Sequence, residues 1–374
     1  MVKIIRAIEN TNGIPVGFPI LFDDRMAIIE PAFAYLLEHA LVRGRSRATE
    51  TVRTYAEHLY DWFDTLEQSQ IDWDQVELET IAAYRNRMLE NRSSHTDRPY
   101  ARATINDRVG TVCRFYSWAR QRHLIKALPF HLVDVRRVRS TGFLSRPATV
   151  KANILTVARH EKLPRPLRPD ELRRLFAALS TPYRLVAEWA LATGVRRKEL
   201  CGLMVPQIPD VSDIDPGEMP LIGVPLTITK GDRPRTIYPP LRLVDRTHWY
   251  IGEERAIAAR QRSGRRSTAL FLTGQGNPVT RQRLTAVFGE AFEKARIPGS
   301  LHWLRHTFAM TMLVQLQRHA ASGSTINPLK VVQVLLGHAS IETTAIYLRC
   351  VELHERDLAE SIAFLYGAVI DDGA

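Results

Sequence analysis

The sequence predicts a mainly α-helical protein with a small β-sheet, in which an all-helical domain precedes an α+β domain. Three observations predict this fold class. Apolar residues recur at helical spacing over most of the chain. A single stretch has the alternating pattern of a β-hairpin. The length of 374 residues exceeds what one ordinary hydrophobic core accommodates, so two domains are expected.

The N-terminal segment is predicted to be an irregular arm, because residues 1–25 contain two glycines and two prolines within a few positions of one another. Residues 26–135 are predicted to form the helical domain. Four segments of this domain have helical periodicity: 26–42, 49–66, 78–90 and 104–123. Their apolar stripes are interpreted as the core of a compact domain.

A basic linker is predicted at residues 136–165, where prolines and arginines interrupt the helical pattern. The linker is expected to be mostly extended, and its sequence also allows a short helix near residues 150–160. The second domain, residues 166–350, begins with helices and continues through the hairpin stretches PLTITK, GDRP and RTIYP. Later helices are predicted at 247–262, 281–296, 301–319, 327–336 and from 341 onward. Residues 351–374 are predicted to form an acidic tail.

The charge distribution favours a polyanionic partner. The formal net charge is +11, and the basic residues are concentrated in one segment. Residues 85–159 contain 16 Lys or Arg and 4 Asp or Glu, whereas residues 1–84 contain 7 and 14. The last 24 residues contain one arginine and six acidic residues. Contacts to nucleic-acid phosphates require a concentrated basic segment, although acidic proteins and lipid headgroups also bind such segments.

Several classes of protein are disfavoured by the sequence. No apolar run reaches the length of a membrane-spanning helix, and residues 1–18 lack the apolar core and cleavage site of a secretion signal. Cys113, Cys201 and Cys350 lack the spacing of metal ligands and favour a reducing, cytoplasmic setting. Neither a glycine-rich phosphate loop nor the acidic cluster of a two-metal nuclease is recognised. Accordingly, no metal, cofactor or membrane partner is predicted.

Two stretches of the second domain place cations next to glycines. In TGVRRKEL, Gly194 can end a helix in the left-handed conformation, so that Arg196 stands at the start of the next helix. Glu199, three residues later, can orient the Arg196 guanidinium from the same helix face. In TKGDRPR, Lys230 lies beside a glycine at the hairpin turn, where its ammonium can be presented to a ligand. An exposed ion pair and a solvated lysine are the structural alternatives.

Three further stretches carry two histidines, an arginine and a tyrosine. His302 and Arg305 in HWLRHTFA share a helix face; histidine exchanges protons near neutral pH, and a guanidinium can hold two phosphate oxygens. In LLGHAS, a glycine ends a helix immediately before His338. Tyr347 follows in SIETTAIYLR, on a helix that Ser340 can cap. Taken alone, such a tyrosine is more commonly a packing residue.

In this order, the five stretches resemble the tyrosine recombinase, or phage integrase, family. The resemblance covers residues 165–350 by motif, whereas the helical domain fits the family's core-binding domain by size and position only. It implies catalytic roles for Arg196, Lys230, His302, Arg305, His338 and Tyr347, with Glu199 and His306 as supporting residues. Trp303, the long linker and the lengthened loop RHAASGSTINPLK depart from the family pattern. These departures bear on loop geometry and site recognition rather than on chemistry.

The resemblance implies a site-specific DNA recombinase of the integrase or transposase kind, acting on a mobile element. It would cut and rejoin DNA through a covalent 3′-phosphotyrosine and a Holliday junction, without metal or ATP. Tyr347 would be the nucleophile, His302 the acceptor of its proton, and Lys230 the general acid for the 5′-hydroxyl. The implied partners are double-stranded DNA with specific recombination sites, other protomers in a homo-tetramer, and accessory DNA-bending or directionality factors. The implied location is the bacterial cytoplasm, at the nucleoid.

Three other functions stay open from the sequence. A type IB topoisomerase uses similar residues to relax supercoils as a monomer, and a non-catalytic DNA-binding protein can share the fold. A basic scaffold for acidic proteins would leave the ordered motifs unexplained. For a recombinase, integration, excision, transposition and dimer resolution are all compatible with the sequence. The acidic tail is expected to dock either on a neighbouring protomer or on its own domain.

Overall fold

A computed structural model divides the chain into two compact units, Met1–Glu161 and Lys162–Ala374. It describes residues 1–10, 13–41, 49–93, 97–139, 146–158, 163–215, 222–227, 234–262, 267–323, 325–348 and 350. Helices dominate both units, and each sheet among these residues is a pair of antiparallel strands. The predicted fold class, mainly helical with little β-structure, is confirmed.

The four helices predicted in the first unit are present. Its elements are β1 (Lys3–Arg6), β2 (Pro19–Phe22), α1 (Glu30–Leu41), α2 (Thr49–Ser69), α3 (Leu78–Glu90), α4 (Arg102–Gln121), β3 (Leu132–Arg139) and β4 (Arg146–Asn153). Trp62 of α2 lies edge-on to Tyr116 of α4 and donates a hydrogen bond to its hydroxyl at 3.3 Å. The apolar stripes predicted as core are buried between these helices.

The prediction of an irregular N-terminal arm is wrong. β1 and β2 pair antiparallel along their full length. Phe18 and Leu21 are buried in the same core as the helices, so this segment belongs to the folded unit. The glycines shape the connection between the strands: Gly17 has a φ of 81°, a conformation that glycine adopts at no steric cost. Strands of four residues are too short to give a periodic signal, so composition alone pointed to irregular structure.

The described parts of the predicted linker, residues 136–139, 146–158 and 163–165, are strands, a turn and irregular chain, and the helix that the sequence allowed near residues 150–160 is absent from the described part of that range. β3 and β4 pair antiparallel, with Leu132 opposite Asn153 and Arg139 opposite Arg146. Residues 154–158 continue as a turn and irregular chain. The β-branched Val150 favours a strand, and pairing with an eight-residue partner strand satisfies the backbone of this segment.

The second unit contains the predicted hairpin and helices. Its elements are α5 (Pro169–Ala177), α6 (Tyr183–Thr193), α7 (Arg197–Gly202), a short 3-10 helix (Val205–Gln207), β5 (Val224–Leu226), β6 (Arg235–Ile237), α8 (Leu241–Gly252), α9 (Glu254–Arg260), α10 (Arg281–Lys294), α11 (His302–Ala321), α12 (Pro328–Leu336) and α13 (Ile341–Leu348). In the described ranges, no single helix is long and apolar enough to cross a membrane. The pair α12 and α13 together would be long and apolar enough, judged by length and composition alone, but the two helices bend by 120° at their junction.

Two left-handed glycines bring helix ends together in this unit. Gly194 ends α6 with a φ of 64°, and Gly337 ends α12 with a φ of 62°, as predicted. A Cβ at Gly194 would overlap the ring of Phe308 on α11, so only glycine lets α6 end against that helix. Phe308 also packs with Leu336 and Tyr347 in an apolar cluster. The segments that follow α6 and α12 consequently lie beside the N-terminal half of α11.

Candidate active site

The start of α7 forms the first part of the site. Arg196 immediately precedes the helix, and its backbone N–H donates to Oε2 of Glu199 at 2.6 Å. Nη1 of Arg196 donates to Oε1 of the same carboxylate at 2.9 Å. Glu199 is 1% exposed, whereas the Arg196 side chain is 22% exposed. The predicted contact is therefore present: a buried carboxylate fixes an arginine that still reaches solvent.

A second arginine, which the sequence analysis did not single out, shares this carboxylate. Nη2 of Arg235, the first residue of β6, donates to Oε2 of Glu199 at 2.8 Å. The sequence could have indicated Arg235 through its position two residues before the apolar Ile237. Alternate residues of a strand lie on the same face, so the two side chains are expected on one side of the hairpin. Ile237 is buried, so the Arg235 side chain lies on the buried face and needs an anionic partner there.

The C-terminal end of α12 binds three arginines through three successive backbone carbonyls. The pairs are Arg235 with the carbonyl of Leu335, Arg305 with that of Leu336 at 2.8 Å, and Arg196 with that of Gly337 at 3.0 Å. The last carbonyls of a helix have no partner within it and carry the negative end of the helix dipole. Cations are stabilised at such an end, so one helix terminus gathers three guanidinium groups.

Arg305 is the most buried of the three arginines, at 2% exposure. It also donates to the carbonyl of Gly194 and thus connects the ends of α6 and α12. Burial, together with the positive charges of Arg196 and Arg235, lowers the pKa of Arg305 to about 9. The guanidinium stays protonated at neutral pH, but its neighbours repel it. A bound anion would relieve this repulsion.

His338 is held between Arg305 and Thr344. Its Nε2 lies 3.1 Å from Nη2 of Arg305, and its Nδ1 lies 2.9 Å from Oγ1 of Thr344. Because a guanidinium only donates, Nε2 must accept, and the ring proton is on Nδ1, which donates to Thr344. Burial and the charge of Arg305 lower the pKa of His338 to about 3, in keeping with this neutral form. The sequence analysis missed Thr344. Its spacing of three residues from Tyr347 could have indicated it, because residues three apart lie on the same helix face.

Tyr347 lies beside these groups on α13. It is 2% exposed, and its hydroxyl lies 3.0 Å from Nδ1 of His306. Its ring is nearly parallel to that of His338, with 6.3 Å between the ring centroids. Burial raises the pKa of Tyr347, whereas burial and the neighbouring His302 lower the pKa of His306 to about 4. His306 is therefore neutral and can accept the hydrogen bond of the phenol, whose proton stays on Tyr347.

Two family models match the chain. The model of the phage integrase family matches residues 165–353, slightly more than half of the chain. The chain belongs to the phage integrase, or tyrosine recombinase, family. The model of the phage integrase N-terminal SAM-like domain matches residues 35–123, within the first unit of this integrase-family chain. The family predicted from the five motifs is confirmed.

Known relatives carry recombinase names. Tyrosine recombinase XerC of Mycobacterium bovis (strain BCG / Pasteur 1173P2) is 32% identical over 274 residues, covering 68% of this integrase-family chain and 77% of the relative. Tyrosine recombinase XerD of Ralstonia nicotianae is 28% identical over 253 residues, covering 66% of this chain and 68% of the relative. These relatives confirm the predicted enzyme class, the tyrosine-type recombinases.

Solved structures share the fold. A lambda integrase dimer bound to a core site has a TM-score of 0.56 at 15% identity, covering 85% of this chain and 94% of that one. The Tn1549 transposon integrase in complex with a circular intermediate DNA has a TM-score of 0.55 at 20% identity, covering 84% of this chain and 94% of that one. Both matches extend over most of this integrase-family chain.

The predicted site residues of this integrase-family chain lie together wherever the structure describes them. They are Arg196, Glu199, His302, Arg305, His306, His338 and Tyr347. Lys230 lies outside the described residues, so its role as general acid stays a prediction. Trp303, one of the departures from the family pattern, is accommodated by packing, since the guanidinium of Arg165 lies 5.3 Å from its ring centre.

His306, predicted as a supporting residue, is the hydrogen-bond partner of the Tyr347 hydroxyl. His302, predicted to accept the tyrosine proton, lies next to it, with 4.5 Å between the two imidazole centroids. His302 is exposed, but the surrounding protein removes part of its hydration. This desolvation, together with the charges of Arg305 and Arg196, lowers the pKa of His302 to about 4. Residues four apart share a helix face, so the spacing of the two histidines was the available signal.

A cavity of about 510 Å³ opens beside Arg196 and His302. Its walls come from the start of α7, from α10 and from the segment before α11, and they include Arg197, Lys198 and Arg281. Apolar side chains of the unit line the same cavity. Cations next to apolar surface suit a sugar–phosphate backbone, whose phosphates need positive charge and whose sugars present apolar faces. The cavity therefore brings cations and apolar surface next to the arginine cluster.

The neutral histidines of the site predict a loss of stability in mild acid. The pKa values of His306 and His338 are lowered to about 4 and about 3, whereas a histidine in the unfolded chain titrates near 6.5. The unfolded state therefore binds more protons below pH 6.5, and the stability that these neutral rings contribute is lost as the pH falls from 6.5 toward 4. Each histidine accounts for up to about 1.4 kcal/mol per pH unit in this window.

Urea unfolding at pH 7, 6 and 5 measures this loss. His306→Gln is the matched variant, because it keeps an amide near the Tyr347 hydroxyl but cannot titrate. We expect the free energy of unfolding of the wild type to fall more steeply with decreasing pH than that of the variant. Equal slopes for the two proteins would contradict the assignment of a neutral His306.

Proposed function

We propose that this integrase-family protein is a site-specific DNA recombinase that cleaves a DNA strand by attack of Tyr347 on a backbone phosphate. One observation carries the proposal: a buried phenol lies among neutral histidines, next to the guanidinium groups of Arg196 and Arg305. Relatives named tyrosine recombinase XerC and XerD support the same activity. Perturbed titratable groups clustered beside an open basic cavity are typical of a catalytic site.

Phosphate binding is the first step of the proposed mechanism. A phosphodiester is an anion that repels nucleophiles, and Arg196 and Arg305 would neutralise its non-bridging oxygens with charge-assisted hydrogen bonds. Glu199 and the end of α12 already orient the Arg196 guanidinium, so it needs little reorganisation when charge develops on the oxygens. Positioning and preorganised charge supply most of the catalysis in phosphoryl transfer.

The oxygen of Tyr347 then attacks phosphorus. Its proton passes to Nδ1 of His306, 3.0 Å away, instead of to His302, the acceptor expected from the sequence, while the new O–P bond forms. The bond from phosphorus to the 5′-oxygen breaks, and this oxygen takes a proton from a general acid, for which Lys230 is the proposed residue. The products are a 3′-phosphotyrosine and a free 5′-hydroxyl.

The pKa shifts of the donor and the acceptor determine when the tyrosine proton moves. Burial raises the pKa of Tyr347 and lowers the pKa of His306, so transfer from phenol to imidazole is unfavourable in the free protein. We infer that the proton moves only as the O–P bond forms. The free protein therefore keeps its nucleophile protonated and unreactive.

Rejoining reverses these steps with a different strand. The 5′-hydroxyl of that strand attacks the phosphotyrosine, and Tyr347 leaves as a phenol. The bond energy is conserved in the covalent intermediate, so the proposed cycle needs no ATP, and the arginines supply the positive charge that a metal would otherwise provide. Two successive exchanges between duplexes pass through a Holliday junction and employ four active sites, and hence a homo-tetramer on two recombination sites.

The other parts of the chain have proposed roles in holding DNA and in assembly. Residues 26–135 act as the core-binding domain, and residues 136–165 as a basic linker along the backbone, in line with the concentrated positive charge of this region. Residues 166–350 form the catalytic domain. The tail, residues 351–374, lies outside the described residues and docks on a neighbouring protomer or on its own domain. Accessory DNA-bending or directionality factors and a nucleoid location complete the proposal.

A suicide substrate tests the proposed chemistry. The substrate is first selected from random-sequence duplexes by capture of covalent adducts, and it is then nicked near the cleavage point so that a short released fragment diffuses away. We expect the wild type to form a denaturant-resistant adduct in EDTA without ATP, with the nucleotide on Tyr347 by peptide mass spectrometry. The absence of an adduct, or an adduct on another residue, would contradict the proposal.

A plasmid with two selected sites separates recombination from relaxation. A recombinase yields a rearranged plasmid with exchanged flanking sequence. A type IB topoisomerase yields only a loss of supercoils, and a non-catalytic DNA-binding protein yields neither product. We expect the rearranged plasmid.

A further inference from the structure

Arg235 is a buried charged group for which the proposed mechanism has no role. Its side chain is 8% exposed, against 22% for Arg196. One end of its guanidinium donates to Oε2 of Glu199 at 2.8 Å, and the other donates to the carbonyl of Leu335. Its Nε is buried and has no hydrogen-bond partner. The residue thus spans two parts of the site that are distant in the sequence.

The two acceptors of Arg235 both bear on Arg196. Glu199 receives the backbone N–H and Nη1 of Arg196 on the α7 side. On the α12 side, Nη2 of Arg196 donates to the carbonyl of Gly337, two residues after the carbonyl that Arg235 binds. Arg235 therefore connects the two supports that fix the orientation of the Arg196 guanidinium.

Space at Gly337 indicates how tightly Arg235 fits against the end of α12. A Cβ at this glycine would lie 2.6 Å from Cδ of Arg235 and 3.7 Å from Nη1 of Arg196. The aliphatic part of Arg235 thus fills the space beneath the turn that leads to His338. Both terminal nitrogens of Arg235 already donate to protein acceptors, one to Glu199 and the other to the carbonyl of Leu335.

The charge of Arg235 also stabilises the shared carboxylate. Burial alone would raise the pKa of Glu199, but the hydrogen bond and charge of Arg235 and the contacts of Arg196 lower it. Without Arg235, Oε2 of Glu199 would keep only the backbone N–H of Arg196, and the buried carboxylate would have one arginine instead of two. A half-satisfied buried carboxylate can turn toward the remaining cation and displace it.

We propose that Arg235 is a positioning residue of the phosphate site, holding Glu199 against the end of α12 so that Arg196 is oriented toward the non-bridging oxygens. This inference rests on the proposed function. Arg235 acts through Arg196 and does not touch the phosphate. Loss of Arg235 therefore slows strand cleavage more at a charged phosphodiester than at an uncharged analogue.

Arg235→Gln and Arg235→Lys test the inference. The matched control is Arg246→Gln, because Arg246 also pairs with a buried glutamate, Glu188 at 3.2 Å, but outside the site. The readout is the single-turnover rate of adduct formation on the suicide substrate, measured with a phosphodiester and with each methylphosphonate diastereomer at the cleaved position. A methylphosphonate lacks one charged oxygen and depends less on an oriented guanidinium.

We expect Arg235→Gln to lower the rate on the phosphodiester by about 100-fold, with DNA affinity and the control variant unchanged. On a methylphosphonate, the rate of Arg235→Gln should be lower than that of the wild type by only about tenfold or less. The neutral substrate needs less of the charge stabilisation that a correctly oriented Arg196 supplies. Arg235→Lys keeps the charge but cannot span both acceptors, so an intermediate rate is expected. If Arg235→Gln does not fold, the same comparison is made with Arg235→Lys.

Two results would overturn the inference. Equal deficits on the phosphodiester and the methylphosphonate would mean that Arg235 contributes to structure only. A deficit that shrinks on a 5′-bridging phosphorothiolate, whose sulfur leaves without a general acid, but not on the methylphosphonate would mean that Arg235 acts on the hairpin turn of Lys230 instead. A wild type that forms no adduct would contradict the proposed function and not this inference.

Discussion

Tyr347→Phe is expected to abolish the covalent adduct while DNA binding and folding persist. The substitution removes a single oxygen, the atom that would be joined to phosphorus. The phenyl ring keeps its packing beside His338 and in the cluster with Phe308. The lost hydrogen bond to His306 costs about 1 kcal/mol of stability. Adduct formation on the suicide substrate, DNA affinity and urea unfolding together measure the effect.

Tyr250→Phe is the control for this prediction. Tyr250 is also buried in the second unit, and its hydroxyl accepts a hydrogen bond from the backbone of Leu272 at 3.2 Å, away from the site. Both variants lose one buried hydroxyl, so their stabilities should fall by similar amounts. Only Tyr347→Phe should lose the adduct. An adduct that persists in Tyr347→Phe at the wild-type rate would refute the assignment of the nucleophile.

Arg305→Lys is expected to lower both activity and stability. The guanidinium donates to the carbonyls of Gly194 and Leu336 and contacts His338, and a single ammonium cannot reach all three acceptors. One buried carbonyl is left unpaired, which costs about 1–3 kcal/mol. The cleavage rate should fall by about 1,000-fold, since the anion site loses a preorganised donor and His338 loses its anchor.

Arg318→Lys is the control for Arg305→Lys. Arg318 lies on the same helix, α11, but near its C-terminal end, where its side chain is exposed. Adduct rates and urea unfolding of both variants measure the two effects separately. A wild-type rate together with wild-type stability in Arg305→Lys would contradict the role assigned to the buried guanidinium.

The reactive groups could be predicted from the sequence because each carries a local signal. Gly194 and Gly337 were predicted to mark helix ends, and Gly194 also adopts the left-handed conformation predicted for it. His302 and Arg305 share a helix face through their spacing. Such signals depend only on neighbours within one or two turns, and a tertiary fold rarely overrides a glycine at a helix end.

The contacts between these groups could not be predicted, because they depend on long-range packing. Arg305 and Gly194 are 111 positions apart, and Arg196 and Gly337 are 141 positions apart. Their acceptors are backbone carbonyls, which every residue has and which leave no trace in the sequence. Arg235 was overlooked for the same reason: in a strand of three residues, its alternation with Ile237 is barely visible.

The N-terminal strands were missed because local composition and tertiary context disagree there. Glycines and prolines indicated an irregular chain, yet Phe18 and Leu21 fill the core of the first unit. Burial of such side chains stabilises a fold by about 1.5–3 kcal/mol each, enough to fix two short strands that would not form alone.

The shared attachment of three arginines to the end of α12 makes that helix a single control point. Leu335, Leu336 and Gly337 are consecutive residues of one turn, so a displacement of that turn would alter the contacts of Arg235, Arg305 and Arg196 together. The anion site would then switch off as a unit, instead of weakening one contact at a time.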